Sequence, residues 1–299
     1  RHLISHTSGL TYQTNVTGVG EVAQQYDEFG VMACFSGDGP EGRKISTLAE
    51  EVAFLAQLPL IDHPGESWNY SVGIDVLGAV IEQVTGMRLS AYLESEIFAP
   101  LGMSRTGFEI SPEMSKNASE LYFAATPAQL AEYDFEGPID WKILPSGGGI
   151  AGGDRSNSDR PCDSGGGGLF STVNDFAIYL KMIANDGELN GYRVLNKDSI
   201  NEHLADQTPQ LLPEAFRRGF GEDASSYMKF SAGFGMKMDV DPSTNEEVVD
   251  YFFWGGAANT FFWLDKQNDT IGVFATHIMP SLYNVSDRIE QIVDEARSP

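Results

Sequence analysis

Apolar residues recur at helical spacing over much of the first half of the chain. Thr47 and Glu50 have the spacing of a capping box in front of the first stripe, which consists of Leu48, Val52, Leu55 and Ala56. A second stripe predicts a helix from about Ser71 to Thr85, ended by Gly86, and it consists of Ile74, Leu77, Gly78, Ile81 and Val84. We therefore expect this half of the chain to fold mainly as helices joined by loops.

Two more predicted helices flank a glycine-rich stretch. The first runs from about Ser90 to the break before Pro100. Ser171 is expected to cap the second, which buries Phe176, Leu180 and Ile183. Residues 137–168 lie between them and carry several glycine clusters, so they could form a flexible linker or a shaped loop. Apolar residues interrupt this stretch and favour an ordered loop that lines a cleft.

The last third of the chain changes to strand patterns. Alternating or β-branched stretches predict strands over 230–238, 248–254, 259–264 and 270–277. The turn signal at 266–269 makes the last two strands a hairpin, and an amphipathic helix is expected over 284–297. Helices followed by consecutive antiparallel strands and a final helix predict the α+β class, not a parallel βαβ array.

Composition narrows the possible functions. The 299 residues are 41% hydrophobic and 11% aromatic, which is enough for a substantial core. The 43 acidic against 19 basic residues give a net charge of −24, so nucleic acid and anionic lipid are poor partners. Cys34 and Cys162 are too few for a disulfide framework or a cysteine-rich zinc site. No apolar run in the sequence is long enough to span a bilayer.

Several common chemical signatures are absent from the sequence. It contains no G-x-S-x-G elbow and no phosphate-binding G-x-x-x-x-G-K-[ST] loop. The five histidines are scattered, and the pair His2 and His6 lacks an evident third ligand, so we expect no metal site and no organic cofactor. The S-x-x-K tetrapeptide Ser226–Lys229 begins no amphipathic helix and is interpreted as coincidence.

Three segments carry a much more specific signal. The first is HLISHTSGL at 2–10. The second is PGESWNYS at 64–71, together with the helix that follows it and PLGM at 100–103. The third is WGGA at 254–257. In this order and spacing the chain resembles the serine β-lactamase-like superfamily, which comprises class C β-lactamases, DD-peptidases and the related family VIII carboxylesterases. The resemblance is greatest to the carboxylesterases and covers essentially the whole chain.

The resemblance implies roles for individual residues. Tyr70 corresponds to the tyrosine that acts as general base, and a phenol needs a nearby cation for this role because it titrates near 10. Trp254, Gly255 and Gly256 correspond to the strand along the cleft, and the backbone N–H of Ala257 to half of the oxyanion hole. The alternatives from the residues alone are an amphipathic tyrosine at a helix start and a glycine bulge in a core strand.

Two departures from the family pattern alter the expectation. The family's nucleophilic serine and its lysine lie in an S-x-x-K upstream of the HTSGL segment, so we expect an N-terminal segment, with the first helix and strands of the sheet, to be missing from this chain. That segment would be its partner in the fold. Val72 replaces the asparagine of Y-x-N, and Trp254 replaces a cation that would bind a carboxylate. Both replacements favour small neutral esters over β-lactams.

The expected architecture is therefore α+β and β-lactamase/transpeptidase-like, with an antiparallel sheet flanked by helices. Residues 1–168 would form a mostly helical domain with cleft loops, and residues 169–299 part of the sheet domain. The expected activity is that of a serine hydrolase, a carboxylesterase that acts on short-chain esters through an acyl-enzyme. The alternatives are a β-lactamase or DD-peptidase and, from another class, a non-catalytic ligand-binding or sensor homologue. The sequence does not identify the compartment.

Overall fold

The computed structural model describes residues 1–14, 17–31, 34, 45–119, 121–123, 142–143, 161–208 and 228–279, and positions 289, 292 and 295. Its α-helices are α1 Gly20–Phe29, α2 Leu48–Leu55, α3 Gly73–Thr85, α4 Leu89–Leu93, α5 Ala99–Leu101, α6 Pro112–Ser115, α7 Val173–Ala184 and α8 Lys197–Leu204. A π-helical turn, Glu94–Phe98, joins α4 to α5.

The ends of the helices follow the predicted capping chemistry with two differences. The Thr47 hydroxyl accepts a hydrogen bond from the Glu50 N–H at 3.1 Å, and Gly86 ends α3 in the left-handed conformation, as predicted. The cap of α7 is Thr172, one residue after the predicted Ser171, because the Thr172 hydroxyl accepts from the Asp175 N–H at 3.1 Å. The helical path also continues through Pro100, which occupies the first turn of α5 and needs no donor there.

The buried face of α3 differs from the predicted stripe. Gly78 is buried as expected, but Val84 is 80% exposed. The side chain of Asp75, a charged residue, is buried in the first turn instead. Periodicity ranks positions by apolarity and therefore does not detect a carboxylate that is buried by specific hydrogen bonds.

The main sheet has five antiparallel strands in sequential order. They are β5 Met228–Phe230, β6 Gly235–Val240, β7 Glu247–Gly256, β8 Thr260–Asp265 and β9 Thr270–Ala275. The prediction of one strand over 230–238 was wrong, because a turn at Ser231–Phe234 separates β5 from β6. The Ser231 N–H donates to the Phe234 carbonyl at 2.8 Å, and Gly233 takes a φ of 103°, which side chains disfavour.

Two small sheets complete the described strands. β1 Tyr122–Phe123 pairs in parallel with β10 Ile278–Met279 and antiparallel with β2 Lys142–Ile143. β3 Glu188–Leu189 and β4 Tyr192–Arg193 form a hairpin between α7 and α8. The parallel pair was not predicted, because β1 and β10 are far apart in the sequence and only two residues long.

The largest core lies where α7 and α8 cover the five-stranded sheet. It contains Leu180, Met182 and Ile183 of α7, Ile200 of α8, and Met236, Phe252, Phe262 and Leu264 of the sheet. Two smaller cores lie among the helices of the first 110 residues, and Cys162 completes one of them. Helices packed on a face of an antiparallel sheet agree with the predicted α+β class.

Parts of two predictions fall outside the described residues. Most of the predicted 137–168 loop lies outside the described residues. Of its glycine clusters, the structure describes only Gly165–Gly168. Of the predicted helix over 284–297, positions 289, 292 and 295 are helical, and the side chain of Ile292 is half exposed. None of the helices that the structure describes has the length and apolar character needed to cross a membrane.

Candidate active site

The HTSGL and PGESWNY segments, far apart in the sequence, form one unit held by backbone hydrogen bonds. The Asn69 N–H donates to the His6 carbonyl at 2.8 Å, and the Gly65 N–H donates to the Thr7 carbonyl at 2.7 Å. Gly9 has a φ of 80°, and a Cβ at this position would lie 2.0 Å from the Asp62 carbonyl oxygen. Glycine is therefore required where the two segments touch, and their contact fixes the backbone that leads into Tyr70.

His6 is buried at the centre of this unit among aromatic rings. Its ring centroid lies 4.7 Å from that of Tyr70, 5.5 Å from Phe230 and 5.9 Å from Trp68. Nδ1 accepts from the backbone N–H of Ser71 at 3.3 Å, which places the ring proton on Nε2. Burial lowers the pKa of His6 to about 3, so the imidazole is neutral at physiological pH.

The hydroxyl oxygen of Tyr70 receives two hydrogen bonds. The indole N–H of Trp254 and the hydroxyl of Tyr12 both donate to it. Burial is the largest influence on Tyr70 and raises its pKa; the two donors oppose this rise, and the charge of Asp75 adds to it. Phenol is thus the resting form in this environment, but the two donors stabilise the phenolate when it forms.

Tyr12 is a site residue that the sequence reasoning missed. Its ring is buried, and its centroid lies 5.1 Å from that of Tyr70. Burial first, and then the nearby Tyr70 and Asp75, raise the pKa of Tyr12 well above its usual value, so its hydroxyl stays protonated and able to donate. The available signal was its position, two residues after the HTSGL motif.

Trp254, Gly255 and Gly256 form the last part of β7. They pair with Phe262, Phe261 and Thr260 of β8 without a bulge, so the alternative of a glycine bulge is wrong here. On the other side, β6 begins opposite Phe253, and the two glycines extend beyond it and are exposed. Ala257 follows in the turn after the strand. An extended chain could approach the backbone at this edge of β7.

The Trp254 ring links this edge to Tyr70. Its centroid lies 5.5 Å from that of Tyr70 and 5.2 Å from that of Phe230. A Cβ on Gly256 would lie 2.4 Å from the Thr260 hydroxyl oxygen, so a side chain there would disturb the end of the strand. The structure therefore brings the predicted tyrosine and the predicted strand motif together.

Val72 occupies a different kind of environment. It is the residue before α3, its side chain is fully buried, and it packs in the core that contains Leu10, Tyr12 and Leu55. Tyr70 packs against the same core, so Val72 borders the site from its buried side and offers no exposed surface.

The two cysteines form a disulfide that the sequence analysis did not predict. Cys34 and Cys162 are bonded across 128 residues, with their Cα atoms 5.0 Å apart. The carboxylate of Glu51 accepts from the Cys34 N–H at 2.7 Å. In the described part of the chain these three residues bring potential metal ligands within 4.8 Å of one another, but their two sulfurs are joined to each other.

The S-x-x-K tetrapeptide is described only in its second half. Ser226 lies outside the described residues, and Lys229 is on β5. The Lys229 ammonium forms ion pairs with Glu247 and, at 3.9 Å, with Asp206. Lys229 is therefore engaged by carboxylates at the surface of the sheet.

The fold defines a class of proteins, those with the β-lactamase/transpeptidase-like fold. The solved structure of "EstCE1, a hydrolase with promiscuous acyltransferase activity" superimposes with a TM-score of 0.66 at 23% identity, over 93% of this chain and 66% of that one. The family model for Beta-lactamase matches residues 1–296, so the chain belongs to the beta-lactamase family. The predicted superfamily and fold are thereby confirmed.

Curated relatives include esterases. Esterase EstB of Burkholderia gladioli is 36% identical over 274 residues, which are 89% of this chain and 61% of EstB. The lovastatin esterase of Penicillium rubens is 28% identical over 283 residues, or 91% of this chain and 62% of that enzyme. The chain thus spans about three fifths of the length of the curated relatives that it matches.

Proposed function

We propose that the protein is a serine hydrolase of the beta-lactamase family that cleaves small neutral esters through an acyl-enzyme. The observation that carries the proposal is the Tyr70 hydroxyl, which accepts hydrogen bonds from Tyr12 and Trp254 beside the exposed end of β7. An oxygen that receives two donors is suited to hold negative charge and to accept a proton. The esterases among the relatives support the same reaction class.

In the proposed reaction, Tyr70 removes the proton from the nucleophilic hydroxyl as it attacks the ester carbonyl. Tyr12 and Trp254 lower the cost of forming the phenolate, and the cation that the family resemblance assigns to a lysine lowers it further. The Ala257 N–H, at the end of β7, donates to the oxyanion that develops on the substrate. Tyr70 then returns its proton to the departing alcohol, and water hydrolyses the acyl-enzyme.

Aromatic surroundings support the choice of neutral esters as substrates. The rings of Trp68, Phe230 and Trp254 pack around Tyr70. Where a β-lactam carboxylate would need a cation, the strand carries the indole of Trp254, which offers apolar contact to a short acyl or alcohol group. We expect the full-length protein to hydrolyse p-nitrophenyl acetate and butyrate with a far higher kcat/KM than a chromogenic cephalosporin.

Replacing Tyr70 by phenylalanine tests the proposal. Tyr70→Phe keeps the ring but removes the oxygen, and kcat for p-nitrophenyl acetate should fall by about 10²- to 10⁴-fold. Tyr26→Phe is the matched control, because it removes another buried phenolic oxygen, which donates to the Pro59 carbonyl at 3.4 Å and is also hydrogen-bonded to the backbone of Thr11. An unchanged kcat in Tyr70→Phe would refute the role of Tyr70. A cephalosporin kcat/KM equal to that for the ester would refute the substrate class.

Acyl transfer to an alcohol is the second candidate activity, and the same aromatic surroundings favour it, because an apolar lining admits an alcohol as readily as water. EstCE1, which shares the fold, is itself described as a hydrolase with promiscuous acyltransferase activity. Adding a small alcohol to the esterase assay and measuring the new ester against the free acid tests this candidate. Free acid as the sole product at high alcohol concentration would contradict it.

A further inference from the structure

Asp75 is a buried carboxylate for which helix formation gives only a partial explanation. It lies in the first turn of α3, five residues after Tyr70, and is only 3% exposed. An acidic residue in a first turn favours a helix, but an exposed one does so equally well. Burying a carboxylate is costly unless hydrogen bonds compensate, and the compensating groups identify what Asp75 holds.

Apart from its own backbone, the hydrogen-bond partners that the structure describes for Asp75 belong to the glycine segment 163–168. Its Oδ1 accepts from the Ser164 hydroxyl and, at 3.2 Å, from the Gly166 N–H. Burial raises the pKa of Asp75, and these hydrogen bonds, with a further one from Gly165, oppose the rise. A Cβ on Gly165 would lie 2.3 Å from the Ile74 carbonyl oxygen, so the segment lies directly on the first turn of α3.

Gly166 connects this contact to the site. A Cβ on Gly166 would lie 2.7 Å from Oδ2 of Asp75 and 3.1 Å from the Tyr12 hydroxyl oxygen. Oδ2 has no hydrogen-bond partner among the residues that the structure describes, so hydrogen bonds within the helix do not explain why this oxygen is buried. The Tyr12 hydroxyl, which donates to Tyr70, therefore rests against the point where Asp75 and the glycine segment meet.

We infer that Asp75 is a positioning residue, which anchors the glycine segment 163–168 to the helix that follows Tyr70 and so keeps the Tyr12 hydroxyl directed at Tyr70. The inference rests on the proposed function, since it assigns Asp75 a part in the same reaction. Asp75 acts through Tyr12 and Gly166 and touches no reacting atom. Misplacing a catalytic neighbour by about 1 Å can cost about 100-fold in rate, so the effect should be large in kcat.

Asp175 provides a matched control. Like Asp75, it is a buried aspartate at the third position of a helix, and it accepts one backbone N–H and one hydroxyl from a distant segment. Its partners are the Arg105 N–H at 2.8 Å and the Thr106 hydroxyl at 3.0 Å. Removing either carboxylate removes comparable hydrogen bonds, but only the carboxylate of Asp75 lies beside a residue, Gly166, that also borders the Tyr12 hydroxyl.

The experiment compares Asp75→Ala, Asp75→Asn, Gly166→Ala and Asp175→Ala in the full-length protein, with p-nitrophenyl acetate as substrate. We expect kcat to fall about 10- to 100-fold in Asp75→Ala with KM changed less than about threefold. Asp75→Asn keeps the acceptor Oδ1 and should recover most of kcat. Gly166→Ala should lower kcat with the charge intact, and Asp175→Ala should lose stability with kcat within about twofold of the native value.

Amide hydrogen exchange of 163–168 gives a readout that does not depend on activity. Exchange should accelerate at 164–168 in Asp75→Ala and stay native in Asp175→Ala. Asp163 should anchor the start of the segment in both variants, because its carboxylate keeps the ion pair with Arg88 at 2.9 Å.

If the native protein cleaves no ester, the proposed function fails and exchange alone decides the inference. Native exchange in Asp75→Ala overturns it, and so does a native kcat in Asp75→Ala and Gly166→Ala. If Asp75→Ala does not fold, Gly166→Ala decides, and a native kcat in this variant overturns the inference.

Discussion

His6 makes the stability of the protein sensitive to acid. Burial lowers its pKa to about 3, while an unfolded histidine titrates near 6.5. Between these values the unfolded chain binds a proton that the folded protein excludes, so the free energy of unfolding falls as the pH falls. The loss begins near pH 6.5 and is complete near pH 3.

The size of the effect follows from the two pKa values. Linkage gives a loss of about 2 kcal/mol at pH 5, about 3 kcal/mol at pH 4, and about 5 kcal/mol when the titration is complete. Because the imidazole is packed against Tyr70, Trp68 and Phe230, no water can solvate the charged form without opening the aromatic cluster. The loss is therefore expected to be cooperative with unfolding of the site.

The assay is urea unfolding of the full-length protein at intervals from pH 7 to pH 4, compared with His6→Asn. Asparagine suits this position because the backbone φ is 54°, which short polar side chains tolerate. The variant should be less stable at pH 7, but the difference from the native protein should shrink by about 2 kcal/mol between pH 7 and pH 5. His63→Asn is the control substitution, because it changes an exposed imidazole and should leave the free energy of unfolding at pH 7 native. The same pH slope in His6→Asn and the native protein would refute the reasoning.

Three further predictions concern stability. Val72→Asn should lower the free energy of unfolding by about 2–4 kcal/mol in urea titrations, because it places an amide in an apolar core where the Val72 side chain is fully buried. A native unfolding midpoint would contradict this placement. Replacing both Cys34 and Cys162 by serine should cost about 2–5 kcal/mol, and reduction of the native protein should lower its Tm to a similar extent, whereas unchanged melting in reductant would argue against the disulfide. Gly9→Ala should lower Tm and kcat together, since its Cβ would meet the Asp62 carbonyl oxygen at 2.0 Å, while Gly20→Ala, which meets no atom within 4 Å, should keep kcat native.

The sequence was sufficient for elements whose cause is local. The Thr47 cap, the Gly86 stop and the β8–β9 turn each depend on residues within a few positions, and each was predicted. The turn between β5 and β6 was missed because the alternating pattern continues across it, and only the backbone at Gly233 reveals the break. The exposure of Val84 was missed because an apolar residue gives no sign that the helix leaves the core before its end.

The residues of the candidate site that lie in a sequence motif were predicted, and the others were not. Tyr70 and Trp254 come from two quoted motifs, and the structure places their rings in contact. Asp75 was assigned no role because its hydrogen-bond partners follow it by about 90 positions. The pattern of apolar residues along α3 does not indicate that they are close to it. The Cys34–Cys162 disulfide was missed for the same reason, since a separation of 128 residues does not indicate whether the two cysteines are close in the fold.

The join between the HTSGL and PGESWNY segments has a consequence for protein engineering. Its hydrogen bonds run between main-chain atoms of 6–9 and 61–69, so they do not depend on most of the side chains along the second segment. His63 and Glu66 project into solvent from a backbone that is held in place beneath them. A library that randomises these two positions would therefore vary the surface next to the site while Tyr70 keeps its orientation, which makes them natural starting points for directed evolution of substrate preference.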